Sequence, residues 1–491
     1  MAYIIGADIG TTNVKAVAFS LQGEILGDHS EEYPMYHPQP DWSEQDPEEI
    51  VRAVEYCIQT VVKKCRPFGE VLGLSFSAAM HSLIALDTHG KPLSHSIIWA
   101  DNRSASIANA LRGTAEGRTI YHNNGTPIHA MAPVCKLLWL RENDKALFNQ
   151  AARFVGIKEY VVFKLTGKYL IDFSIASATG LFNIRESTWD AYTLRYLQLT
   201  AERLSEPVSP YHTEPLPEDN ALSLPEGTPL IMGASDGCLA NLGSGAIVPG
   251  TMAVTVGTSG AVRVSAPDAY TDPDMRTFCY ILDEGTYVIG GASNNGAVIF
   301  EWLKDHFFDE IDYEALFKQA ADIAIGADGL LCLPYLLGER APLWNSTVRG
   351  GFLGLDIYHT PAHFVRSVME GILLNLFSIG KVLIKKHEVR AIYANGGFAK
   401  SKTWVQMLAD VFGITVNLND TVETGSVGAA LMGLKALEHI NDFADAKDFT
   451  QISHIFKPNA AHLQEYEKVY EDFVSWAEIL DRKSKEKLAQ S

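Results

Sequence analysis

The octapeptide Asp8-Ile9-Gly10-Thr11-Thr12-Asn13-Val14-Lys15 gathers a carboxylate, two hydroxyls and an amine around one glycine. Those groups suit a phosphate ligand. A glycine turn lets backbone N–H groups approach phosphate closely, and Lys15 can neutralise charge. Asp8 is a candidate to hold Mg²⁺ through waters. A plain hairpin turn with a hydrogen-bonded Asp accounts for the same residues. Gly257-Thr258-Ser259-Gly260 repeats the device half a chain later. Two such turns can grip one nucleotide from both sides. The commoner phosphate loops, G-x-x-x-x-G-K-[ST] and G-x-G-x-x-G, do not occur.

Asp236 lies in Gly233-Ala234-Ser235-Asp236-Gly237-Cys238, after an apolar run. That context predicts a helix N-terminus, where the dipole favours the ionised carboxylate a base needs. Helix capping alone also explains it. Met80-His81 and Trp99-Ala100-Asp101-Asn102-Arg103 end two expected strands. Trp99 brings an apolar face, and Asp101 and Arg103 bring hydrogen-bonding groups, as a polyhydroxyl ligand requires. A core aromatic beside an Asp101–Arg103 ion pair is the competing account. Gly396 and Gly397, in Asn395-Gly396-Gly397-Phe398-Ala399-Lys400-Ser401, permit backbone contact with a flat or anionic ligand. They also suit a strand-to-helix turn that needs positive φ.

These residues sit on an alternating strand and helix pattern. Tyr3 to Ile9 and Val14 to Ser20 predict one hairpin, and Met252 to Val256 and Ala261 to Ser265 predict a second. Asp46-Pro47-Glu48-Glu49 reads as a capping box opening a helix with an Ile50, Val54, Ile58, Val61 stripe. Val71 to Ser77 and Val389 to Ala394 predict strands, and Thr360-Pro361 opens a long helix. The Pro-rich stretch around 207–229 reads as a loop before a second domain. The expected class is α/β with two related domains, 1–245 and 246–491.

Composition narrows the function. The net charge of −19 disfavours a nucleic-acid partner, although a pocket can still be locally positive. Six cysteines without a C-x-x-C pair suggest buried free thiols in a reducing cytoplasm. No signal peptide or membrane span is expected, because Gly371 to Ile384 is too short and carries Asn375, Ser378 and Lys381. Oligomeric state is open, a homodimer included.

Two longer segments carry a resemblance. Met131-Ala132-Pro133-Val134-Cys135-Lys136-Leu137-Leu138-Trp139-Leu140-Arg141-Glu142-Asn143 is one; Gly350-Gly351-Phe352-Leu353-Gly354-Leu355 followed by His363 to Glu370 is the other. With Gly338-Glu339-Arg340, they resemble the signatures of the FGGY family of carbohydrate kinases, across nearly the whole chain. The resemblance implies two actin/hexokinase-like (ribonuclease H-like) domains with a nucleotide cleft between them. It implies ATP and Mg²⁺, with Asp8 at the metal. Thr11, Thr12, Lys15, Gly257 and Thr258 would meet the phosphates, and Gly396, Gly397 and Ser401 the adenosine side. Met80 and His81 would meet the sugar, and Asp236 matches the catalytic Asp.

Ala78-Ala79-Met80-His81-Ser82 departs from the Gly-Gln-Met-His-Gly of xylulokinase members and is more similar to bacterial gluconokinase members. The expected reaction is therefore phosphorylation of a sugar or sugar acid, D-gluconate foremost, with Arg103 as the cation for its carboxylate. A ketose or polyol kinase is the alternative within the class. An actin- or Hsp70-like conformational ATPase is the alternative outside it.

Overall fold

The computed structural model describes residues 2–308, 313–419, 423–445, 449 and 451–488. Its first sheet contains β1 (Ala2–Ile9), β2 (Asn13–Ser20), β3 (Ile25–Glu32), β4 (Glu70–Ala78), β5 (Thr213–Pro215) and β6 (Pro229–Ser235). Its second contains β7 (Thr251–Val256), β8 (Gly260–Ala266), β9 (Phe278–Asp283), β10 (Thr286–Ser293), β11 (Ala391–Asn395), β12 (Thr415–Asn419) and β13 (Ile452–Phe456). The helices that matter below are α1 (Pro47–Cys65), α2 (Pro133–Asn143), α3 (Asp236–Gly243), α4 (Ala297–Phe307), α5 (Pro361–Ile384), α6 (Lys402–Phe412) and α7 (Thr424–Ala436).

The strand orders are β5-β6-β4-β1-β2-β3 and β9-β10-β8-β7-β11-β12-β13. Both share one plan. The opening hairpin is antiparallel, and its first strand then pairs in parallel with a later one: β1 with β4, β7 with β11. The repeated hairpins in the sequence are therefore the openings of two like-wound units. Each unit covers its sheet with its own apolar cluster, such as Ile5, Val54 and Phe76 in the first and Val254, Leu373 and Trp404 in the second.

Local details differ from expectation in two places. Asp46 caps α1 through the Glu48 N–H at 2.8 Å, while Glu49 accepts from the Tyr36 hydroxyl at 3.0 Å. Glu49 thus serves a neighbouring segment, and the capping box is not closed. Part of the Pro-rich stretch is also ordered as strand. Thr213–Pro215 pairs antiparallel with Pro229–Ile231 and forms the edge of the first sheet, a place that tolerates proline.

α5 is long and apolar enough to cross a membrane, but 78% of its apolar window is buried inside the protein. It is the central helix of the second core. α7 belongs to the second unit by sequence, yet it lies on the first. A Cβ at Gly6 would sit 2.1 Å from the Ser426 carbonyl, and one at Gly428 would sit 2.1 Å from the Leu239 carbonyl. Glycines therefore let α7 touch β1 and α3 backbone to backbone. That packing fixes Asp8 and Asp236 relative to each other.

Candidate active site

Asp236 is the first residue of α3, directly after β6. It lines a cavity of about 250 Å³ between the two units, together with Thr11, Met80, His81 and Trp99 from the first unit. Ser259, Arg263, Tyr280 and Arg340 close it from the second.

The helix start favours ionised Asp236 through the Gly237 N–H, as expected, but other effects outweigh it. Burial, then the nearby Asp8 charge, push its carboxyl up to about 7. The Gly237 N–H, Arg263 and Arg340 oppose that rise without cancelling it. One helix terminus is worth at most ~2 kcal/mol, less than desolvation plus a like charge can exert. The result suits proton transfer, because a base works best near the operating pH.

Asp8 ends β1 beside β4, where its Oδ1 accepts from the Ser77 hydroxyl at 2.6 Å. Burial raises this carboxyl, and Glu423 raises it further. A Cβ on Gly425 would lie 2.6 Å from Asp8 Oδ2, so the start of α7 sits directly against it. Asp8 also raises the pKa of buried Asp236, and two such carboxylates form a donor set that fits a divalent cation. Among the described residues no group of three His, Cys, Asp or Glu could hold a metal alone. A cation there would need further oxygens from phosphate and water, as Mg²⁺ commonly takes.

His81 has φ of 71°, an uncommon conformation outside glycine. Its Nδ1 donates to the Ala178 carbonyl at 2.7 Å, which leaves Nε2 as an acceptor. Burial, then Lys136, lower its pKa to about 3, so the ring is neutral. Lys136, from the first family-like segment, donates to the carbonyls of His81 (2.5 Å), Ile97 (3.0 Å) and Ile98 (2.8 Å). It fastens the His81 turn to the strand end that leads into Trp99.

Thr11 lines the cavity and takes a hydrogen bond from Trp99 Nε1 at 2.8 Å. Thr12 is exposed on the same turn. Gly257 and Thr258 form the second turn, whose carbonyls accept from the opening N–H groups of α4: Ala297 N at 2.7 Å and Gly296 N at 3.2 Å. Gly397 and Ser401 line a separate cleft of about 800 Å³ beside Phe300. Gly396 has φ of 102°, and Ser401 caps α6 through the Trp404 N–H.

Three expected site residues are otherwise engaged. Arg103 does not line the cavity. Its guanidinium hydrogen-bonds both Asp101 oxygens and Glu44, and it lies 3.7 Å over the Trp42 ring. Asp101 is fully buried and also accepts from the Ser43 N–H at 2.7 Å. The competing account, an ion pair, describes both residues. Lys15 lies opposite Asp8 in the hairpin, but its ammonium pairs with Glu423 at 2.5 Å.

Sequence reasoning missed Arg263, Tyr280 and Arg340 as cavity residues. Arg340 carried a signal in Gly338-Glu339-Arg340. Arg263 carried only a charged residue inside an apolar strand, Ala261-Val262-Arg263-Val264.

Known proteins resemble the chain over nearly its whole length. Residues 3–243 match the N-terminal domain of the FGGY family of carbohydrate kinases, and residues 252–437 match its C-terminal domain. The gluconokinase of Bacillus subtilis is 39% identical, with 98% of this chain and 96% of that protein covered. The crystal structure of gluconate kinase from Lactobacillus acidophilus superposes with a TM-score of 0.94 at 35% identity, covering 98% of both chains. A ligand-bound xylulose kinase from the same organism gives 0.95 at 34% identity, also over 98% of both. The chain belongs to the FGGY family of carbohydrate kinases.

Proposed function

We propose that the protein transfers the γ-phosphoryl group of ATP to the 6-hydroxyl of D-gluconate, giving 6-phospho-D-gluconate and ADP. The observation that carries the chemistry is Asp236, a buried carboxylate held near neutrality in a cavity shared by both units. The hydroxyl oxygen attacks the γ-phosphorus in line, the bond to the β-phosphate oxygen breaks, and the hydroxyl proton passes to Asp236. His81 Nε2, which the Tyr280 hydroxyl faces at a long 3.5 Å, accepts from another substrate hydroxyl, and Trp99 offers the sugar an apolar face.

The Gly10 and Gly257 N–H groups close their turns onto the Asn13 and Ser259 carbonyls, and the N–H groups of Thr11, Thr12 and Thr258 meet the phosphates. Gly396, Gly397 and Ser401 border the cleft that suits adenosine. Mg²⁺ held by Asp8 would offset negative charge on the phosphoryl oxygens. The halves 1–245 and 246–491 act as the two bodies that close on the substrates. Six free, buried cysteines support a reducing, cytoplasmic setting.

The identity of the sugar is supported by the gluconokinase relatives. A ketose kinase is the second reading, supported by the similar fit of the xylulose kinase structure. A coupled ADP-release assay with gluconate, xylulose, ribulose, glycerol and fuculose separates them. Gluconate is expected to give the highest kcat/KM. Highest turnover with xylulose would replace the first reading by the second. ADP release indifferent to every sugar would overturn both.

A further inference from the structure

Arg263 stands on β8 with small cross-strand neighbours, Ala253 on β7 and Gly290 on β10. A Cβ on Gly290 would meet Arg263 Cα and Cγ at 3.1 Å, so glycine leaves room for the arginine stem. The guanidinium extends to the start of α3, where Nε lies 3.5 Å and Nη2 3.6 Å from the place of a Cβ on Gly237. No ion pair or side-chain hydrogen bond joins it to any described residue. It lines the Asp236 cavity.

Arg340 reaches the same cavity from the loop after the short strand Leu331–Leu333. Its Nη2 donates to the Ser293 carbonyl at 3.1 Å, and its guanidinium lies 5.0 Å from the Trp99 ring centroid. Its Nε is buried without a partner. The adjacent Glu339 lies outside the cavity lining and attracts Arg340 from behind. Its oxygens are occupied by Ser293, Asn295, Asn375 and the backbone N–H groups of Asn294 and Arg340.

Of the charged side chains that line the cavity, two are guanidinium groups and one is a carboxylate, Asp236, while His81 is neutral. In a protein of net charge −19, the lining of this one small cavity carries more cations than anions. Unpaired buried cations are costly, and the natural remedy is an anion supplied by the ligand. Position along the strand agrees. Ser259, on the second phosphate turn, precedes Arg263 by four residues of extended chain, about 13 Å at 3.3 Å each. The arginine backbone is thus set inward from the phosphate turn, and its guanidinium reaches across the cavity to α3.

We propose that Arg263, assisted by Arg340, binds the carboxylate of the sugar acid and sets the preference for an aldonate over a neutral polyol. This rests on the kinase reading above for its substrate class. It assigns to the second unit a role that Arg103 cannot take.

The test uses D-gluconate and D-glucitol, which share a carbon skeleton and differ in carboxylate against CH₂OH. Wild type, Arg263→Met and Arg263→Lys are compared by kcat/KM for both compounds and by calorimetric binding without ATP. Thermal unfolding confirms that each variant is folded. The gluconate-to-glucitol ratio is expected to fall on the order of 10²-fold in Arg263→Met. Arg263→Lys should retain an intermediate ratio, since an ammonium keeps the charge but loses the bidentate fork. An unchanged ratio with both substrates slowed together would overturn the proposal, because Arg263 would then act only through Asp236. Wild-type protein that binds gluconate no better than glucitol would overturn it too. Preferential gluconate binding without ADP release would instead sink the kinase reading and leave the subsite standing.

Discussion

The indole N–H of Trp99 donates to the Thr11 hydroxyl at 2.8 Å, and this bond joins the residue proposed to face the sugar to the turn proposed to meet phosphate. Arg340 lies beside the same indole ring. Three segments distant in sequence are thus registered on one side chain. Trp99→Phe keeps an aromatic face but deletes the donor. A hydrogen bond is worth about 1 kcal/mol, so kcat/KM for the sugar should fall about 5-fold. The KM for ATP should stay nearly constant. Wild-type kinetics in this variant would show that the link between sugar and phosphate sides has no catalytic consequence.

Asp236→Asn tests the base. General-base help is typically ~10²–10⁴-fold, so kcat should fall by that order. ATP binding, followed by calorimetry, should be retained, because the side chain is assigned to the acceptor hydroxyl. Near-normal turnover would remove Asp236 from the proton-transfer role.

The pH profile gives a second view of the same carboxylate. The working form is ionised and the group titrates near 7. kcat/KM should therefore be flat at alkaline pH and decline as pH falls through about 7. Asp8 is the main charged group that raises this value. Asp8→Asn removes a like charge, which makes ionisation of Asp236 easier and moves the midpoint to lower pH. The residual activity of that variant, profiled against pH, checks the direction. A midpoint that stays or rises would mean that another group controls the profile.

Much of the fold was legible locally, and much of the site was not. The two hairpins were visible because alternating apolar strands and glycine turns are short-range signals. Asp236 at a helix start was visible for the same reason. Its pKa was not, because burial and Asp8 act through tertiary packing that α7 creates. Arg103 looked like a ligand because four polar or aromatic residues cluster around it in sequence. Glu44 and Trp42, from a segment far away in the chain, absorb it. Arg263 shows the converse. Nothing beside it in sequence marks a site, and only the meeting of β8 with α3 brings its guanidinium into the cavity.

Lys15 supplies a prediction about the cleft rather than the fold. Its pair with Glu423 bridges the two units, with both side chains about a quarter exposed. Exposed pairs are worth about 0–1 kcal/mol, so Glu423→Gln should shift the melting temperature little. It should also release Lys15 and remove a negative charge near the first phosphate turn. The KM for ATP is then expected to fall a few-fold, whereas Lys15→Met should raise it. Equal, opposite-to-expected or absent effects in steady-state titrations of ATP would assign Lys15 to the bridge alone.

Lys136 separates recognition of the family from its chemistry. It lies in one of the two segments that carry the resemblance, yet its ammonium is fully buried and it does not line the Asp236 cavity. Its three N–H groups meet three carbonyls, which is the full capacity of an ammonium. Lys136→Met fills a similar volume but leaves those carbonyls without donors. Each buried unsatisfied group costs about 1–3 kcal/mol, so a loss of at least ~3 kcal/mol is expected in urea unfolding. The strain falls where His81 meets the strand end before Trp99. The KM for the sugar should therefore rise well before the KM for ATP does. Equal rises in both would mean that Lys136 supports the unit as a whole rather than the sugar side of the cavity.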